Sequence, residues 1–179
     1  MTWIYASQPL RVTWDRAGGD WIDAKGQLHG SEPFAAVTLR QYGVQTASWN
    51  ATEAVRAILR GEADGFLLRG TGGWAHFASN ENTSHPGPRL ALLLKDGTTK
   101  ELTPVLDTWL ASSSANPLAG REDLQSPILL VFDLSGIMEL ERATLWLTSY
   151  NQGSLPATYE LCTACACRKS WTTQRVSST

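Results

Sequence analysis

Charge is scarce in this 179-residue chain: Asp, Glu, Lys and Arg make up 18% of it, against roughly 25% in ordinary soluble domains. That deficit excludes a solvating disordered chain, a coiled coil and a charge-laced helical bundle. The cations that are present do not cluster, and the formal net charge is -2. No phosphate-neutralising surface is expected, and so no nucleic-acid partner. Long apolar runs are missing too. Ile128–Phe132 and Leu90–Leu94 are the longest, far below the roughly 20 residues of a membrane-spanning helix, so no membrane insertion is expected. The opening residues, Met1 to Gln8, carry neither a cationic nor an apolar stretch of the secretory kind, and no signal peptide is read there.

Cysteine is rare and local. Cys162, Cys165 and Cys167 lie within six residues of one another, which cannot staple a framework and allows at most one intramolecular disulfide. Their spacing resembles that of a thiolate metal site, but zinc wants four ligands, and His29, His76 and His85 are all distant in sequence. They are read as a thiol-rich strand or tail, with a metal or redox role as the alternative, and no metal-site residue is assigned. Catalytic motifs are missing as well. The chain has no Gly-x-Ser-x-Gly elbow and no His-Glu-x-x-His, and Gly70–Gly73 lacks the lysine and following helix of a phosphate loop. Asp133 and Glu81 are read as hydrogen-bonding loop backbone. The expectation is a non-catalytic protein without a cofactor.

What the chain does have is eight tryptophans and fifteen glycines, with many short alternating segments. Ala35–Arg40, Leu90–Leu94, Ile128–Leu134 and Arg142–Thr148 read as strands, with Trp49 and Trp146 in the core or half in it. A turn is expected at Asp96-Gly97, and a long loop from Ala111 to Pro127. One helix is legible over about 51–60: Asn50 and Glu53 form a capping pattern, Val55, Ile58 and Leu59 an apolar stripe, and Gly61 a stop. Many strands and one short helix predict an all-β jelly-roll β-sandwich in a single domain, 1–179.

A hairpin is predicted in detail. Gly65–Arg69 and Trp74–Ser79 flank the loop Gly70–Gly73, which sets Arg69 opposite Trp74 and Leu67 opposite His76. Phe66, Leu68, Ala75 and Phe77 then share the core face. Leu67, Arg69, Trp74 and His76 share the other, as a polar-aromatic platform or as an Arg stem packed on an indole.

Three passages together resemble a known family. They are Ser48–Val55 followed by Ala63–Gly70, then Phe77–Glu81 before Pro88–Leu92, and Leu129–Ile137 with Arg142–Leu147. These resemble the signature of DNRLRE-type β-sandwich domains, which include carbohydrate-binding modules appended to polysaccharide lyases and repeats in cell-surface proteins. The order departs from that pattern: 1–97 resembles the family's second half and 98–179 its first. The chain then reads as a circular permutant, or as the end of one domain joined to the start of the next. Asn50 also replaces the usual Asp, and Asn80 stands where Arg is common.

The resemblance implies a polysaccharide-binding module of an extracellular or cell-surface protein. Arg69, Trp74 and His76 would form one site, with Trp21 near Asp23 as a second candidate. The alternative is a structural or assembly subunit whose half-domains complement one another between copies of the chain. Asn50-Ala-Thr52 and Asn82-Thr-Ser84 match glycosylation sequons.

Overall fold

The computed structural model describes residues 21–28, 30–109 and 127–164. Along them lie β1 (Trp21–Ile22), β2 (Ala35–Leu39), β3 (Gln45–Asn50), the helix α1 (Thr52–Leu59), β4 (Gly65–Phe77), β5 (Arg89–Leu94), β6 (Thr99–Leu102), β7 (Leu106–Trp109), β8 (Ile128–Val131) and β9 (Leu140–Ala164). More than half of the described residues are strand, in one curled antiparallel sheet, and α1 is the one helix among them. The all-β class is therefore as the sequence predicts. Cys165, Cys167, His29 and all but the last residue of the loop read from Ala111 to Pro127 lie outside the described residues.

The 25-residue β9 is the spine. Its residues find antiparallel partners on both edges. Ala164 pairs with Trp21 on one side and Gly65 on the other, Ala157 with Leu39 and Gly72, and Thr144 with Asn50 and Ala91. Thus β1, β2 and β3 run in tandem down one edge, and β4 and β5 down the other. The outer order is β6-β5-β9-β4-β8-β7. The strands of 98–179 and those of 1–97 are accordingly woven into one sheet within a single chain.

Helix α1 carries the chain from the end of β3, beside Thr144, to the start of β4, beside Ala164. Ala54, Val55 and Ala57 bury its inner face. At its start Asn50 Oδ1 accepts from the Thr52 amide and hydroxyl, at 3.1 and 2.8 Å. Glu53 does not reach back as a capping box would, but ion-pairs with Arg56 one turn on. Gly61 ends the helix at φ +73°. Its amide donates to Ile58 O and that of Glu62 to Ala57 O, the paired bonds of a left-handed glycine cap.

The sheet curls because β9 and β4 bend together. Tyr159 pairs with Gly70 in register, yet its hydroxyl accepts from Ala75 N at 2.7 Å and donates to Ala75 O at 3.1 Å. Five residues of flat strand would span about 17 Å, farther than a tyrosine reaches. The bend falls where the β4–β9 register shifts, between Gly72 and Trp74, Trp74 and Ala75, and His76 and Phe77; such bulges increase local twist. Inside the curl lie Trp49, Phe66, Leu68, Leu90, Leu145 and Leu161, all nearly or fully buried. Trp49 is thus core, as expected, and Trp146 is half-buried.

The structure departs from two of the sequence expectations. Residues 65–77 form one strand paired along its length with β9, and no hairpin turns at Gly70–Gly73. The glycines serve a close approach between strands instead: a side chain at Gly73 would meet Ser154 O at 2.0 Å. The face assignment of Phe66, Leu68, Ala75 and Phe77 nevertheless holds, because all four pack in the core. Strict alternation from Phe66 would turn Trp74 inward; the alternation along β4 is broken between Leu68 and Ala75, the stretch in which Gly72 takes φ +81°. The second departure concerns Leu67. The opposite face is not solvent there: Leu67 is fully buried with Leu129, Cys162 and Ala164 in a second small core flanked by Trp21 and Leu106.

Candidate ligand-binding face

The predicted site residues on β4, Arg69, Trp74 and His76, fall in two places along the strand. At the strand's far end Trp74 and His76 alternate with the core-packed Ala75 and Phe77, and their ring centres lie 5.0 Å apart with planes tilted by 41°. β9 adds Tyr150, whose ring lies 6.2 Å from that of His76. The segment between β4 and β5 adds His85, stacked on Tyr150 at 5.2 Å and 19°. That segment is shaped by Asn82, whose Oδ1 accepts from the Ser84 and His85 amides at 2.9 and 2.8 Å. The result is a strip of four half-buried rings, Trp74, His76, Tyr150 and His85, in sequence of contact. Burial holds the His76 imidazole below its ordinary pKa, so near neutrality it is uncharged, with one donor and one acceptor nitrogen.

Arg69 is not part of this strip. It lies opposite Glu160 in the β4–β9 register and donates to Glu160 Oε2 through Nε at 2.9 Å and through Nη2. Its Cζ lies 5.3 Å from the centre of the Trp21 ring. An Arg stacked on an indole is therefore present, but the indole is that of Trp21. The predicted Arg69–Trp74 patch depended on a hairpin that does not form. The structure brings Arg69 together with Trp21 and leaves Trp74 with His76.

Asp23 anchors its own loop. Only 1% of it is exposed, and its Oδ1 accepts from the Gln27 and Lys25 amides at 2.8 and 2.9 Å. Oδ2 accepts a longer bond of 3.4 Å from Glu32 N. The Gln27 amide, with those of Glu32 and Lys25, holds the carboxyl below the usual aspartate range. Gly30 makes room for this carboxylate, since a side chain there would fall 2.0 Å from Oδ2. Trp21 closes the same loop by donating Nε1–H to Gly30 O at 3.2 Å. Both side chains are spent on local structure.

Asp133 behaves as expected of a loop carboxylate, accepting from Ser135 N at 2.9 Å. Among the described residues, no group of three or more His, Cys, Asp or Glu is gathered as a cation would require. No described helix is long and apolar enough to cross a membrane. Tyr150 and His85 escape sequence reasoning because nothing local marks them. One follows the strand read as ending at Thr148, and the other sits in an irregular segment. Comparison of the chain with known protein families, characterised proteins and solved structures finds no match.

Proposed function

We propose that the chain is a non-catalytic polysaccharide-binding module of an extracellular or cell-surface protein, a jelly-roll-like member of the DNRLRE-type class that its motifs resemble. One observation carries this reading: the strip Trp74–His76–Tyr150–His85 on the face away from the core. Sugars present flat C–H faces that stack on aromatic rings, by analogy with aromatic pairing. Their hydroxyls are met here by two imidazoles and a phenol, each able to donate and accept. The strip takes the place of the Arg69-centred platform, and Trp21 and Asp23 drop out as ligand contacts.

Titration calorimetry of the purified chain against alginate, pectin and neutral β-glucans tests the reading. Binding to at least one of them is expected, and Trp74→Ala and Tyr150→Ala should each weaken it roughly tenfold, the equivalent of one good aromatic contact. Binding that survives both substitutions unchanged would move the site off this face. No binding to any polysaccharide, together with large assemblies on a sizing column, would favour the structural reading. Strand exchange between copies would then have to replace pairs that β9 already makes on both its edges.

A further inference from the structure

Gly153 lies directly beneath the first ring of the strip. A side chain built on it would meet Trp74 Cζ2 at 1.8 Å, Cε2 at 1.9 Å and Nε1 at 2.5 Å. The indole edge therefore occupies the volume that any other residue would fill with its own Cβ. A fused ring system with two side-chain torsions has no flexible end to withdraw, so ring and Cβ exclude each other. The backbone is tight on the neighbouring side as well, where Gly73 abuts Ser154 O. Trp74 is in register with Ser154 across a bulge, and Gly153 is the extra residue of β9 between the partners of Trp74 and Ala75.

We propose that Gly153 is the positioning residue of the aromatic strip: its missing side chain seats the Trp74 indole, and so fixes the ring beside His76. The proposal deepens the polysaccharide-binding reading and rests on it for its functional consequence. A seated ring loses little freedom when a ligand stacks on it, which is the advantage of a preorganised contact. An alanine at 153 turns the indole out of its seat, breaks the Trp74–His76 contact, and leaves a mobile ring in place of a fixed one.

The test compares the whole chain with Gly153→Ala, Trp74→Ala and the double variant, by calorimetry with whichever of alginate, pectin or β-glucan the wild type binds. Thermal melts and indole ¹⁵N–¹H spectra accompany the titrations. The Trp74 indole signal, assigned by its loss in Trp74→Ala, should move in Gly153→Ala. Affinity should fall roughly tenfold in each single variant and no further in the double. Gly153→Ala should also melt lower than wild type, and adding Trp74→Ala should recover part of that loss, because it removes the colliding ring. An unmoved indole signal, additive losses of affinity, or no thermal rescue would overturn the assignment of Gly153. If the wild type binds none of the three polysaccharides, the binding reading fails, while the indole shift and the rescue still decide whether Gly153 seats Trp74.

Discussion

Trp49 donates its indole N–H to the backbone carbonyl of Tyr159 across 2.9 Å, although the two are 110 positions apart and the strand partner of Trp49 is Leu145. The bond joins two stretches of β9 that a flat sheet would keep far apart, and Phe77 fills the angle, edge-on to Tyr159 at 4.8 Å. The curl is thus held by one aromatic trio. Trp49→Ala should cost about 3–5 kcal/mol, as other buried aromatic truncations do. Tyr159→Phe keeps the ring and removes a hydroxyl that serves both backbone groups of Ala75, which should cost about 1–3 kcal/mol. Urea unfolding midpoints would check both, and a silent Tyr159→Phe would mean that Ala75 finds other partners.

The rank of three aromatic truncations on β4 follows from burial. Phe66 is fully buried and edge-on to Phe132 at 5.7 Å, so Phe66→Ala should cost about 3–5 kcal/mol. Phe77 is half-buried and should cost less, and Trp74→Ala, outside the core, least. Equilibrium denaturation of the three variants reads this order. If Trp74→Ala were the most damaging, the face assignment would be wrong by one residue.

That face assignment was legible in the sequence, while its partner strand was not. Alternating Phe66, Leu68, Ala75 and Phe77 marks a core face whatever lies alongside. A glycine run such as Gly70–Gly73 is compatible both with a hairpin turn and with a bulge between crowded strands. The choice is made by β9, whose Ser154 carbonyl crowds Gly73 from some eighty residues away. The same distance hides the charge pairing. Arg69 and Glu160 are 91 positions apart, so nothing within residues 65–79 shows that Arg69 already has a carboxylate partner. The helix, its glycine stop and the strand at Leu90 were readable because their signals are local. Tyr150 and His85 join the strip only through the bend, which no local pattern encodes.

Acid should loosen the loop around Asp23. Its carboxyl is held below the ordinary aspartate value by the Gln27 amide first, with those of Glu32 and Lys25. The unfolded chain therefore takes up this proton before the folded one does. The stabilisation is complete above the ordinary value of about 3.9 and is lost as pH falls through the lower folded value. Asp23→Asn should flatten the decline of melting temperature below pH about 4. A residual slope is expected, since Asp96 and Asp133 are lowered in the same way by the Thr98 and Ser135 amides. An unchanged acid limb in Asp23→Asn would show that the loop is not what acid releases.

Cys162 should be chemically silent in the native protein. It is fully buried in the small core with Leu67 and Leu129, and burial pushes its thiol up to about 11. The thiolate is the reactive form, so at pH 8 both access and ionisation are against it. Iodoacetamide labelling followed by peptide mass mapping should find Cys162 unmodified in the native chain and modified once denaturant is added. Rapid native labelling at Cys162 would mean that this end of β9 opens readily.

The pH dependence of binding should fall lower than a free histidine would suggest. The sequence alone places the change near the ordinary imidazole value of about 6.5, with affinity for an acidic glycan rising as pH drops through it. Burial between Trp74 and Tyr150 disfavours the imidazolium and lowers the His76 pKa. If the strip takes alginate or pectin, affinity should change little as pH falls from 8 toward 6.5, as far as His76 governs it, and rise only below that point. The same protonation works against the fold. Because the unfolded chain protonates this histidine first, stability falls over the interval in which binding gains a charge. A neutral β-glucan gains nothing from the charge, so the acidic-to-neutral affinity ratio isolates the effect. Calorimetric titrations at a series of pH values, with His76→Gln alongside, read it directly: the ratio should rise below pH 6.5 in the wild type and stay flatter in the variant. An equal rise in His76→Gln would transfer the titration to another group and leave His76 as a neutral wall of the strip.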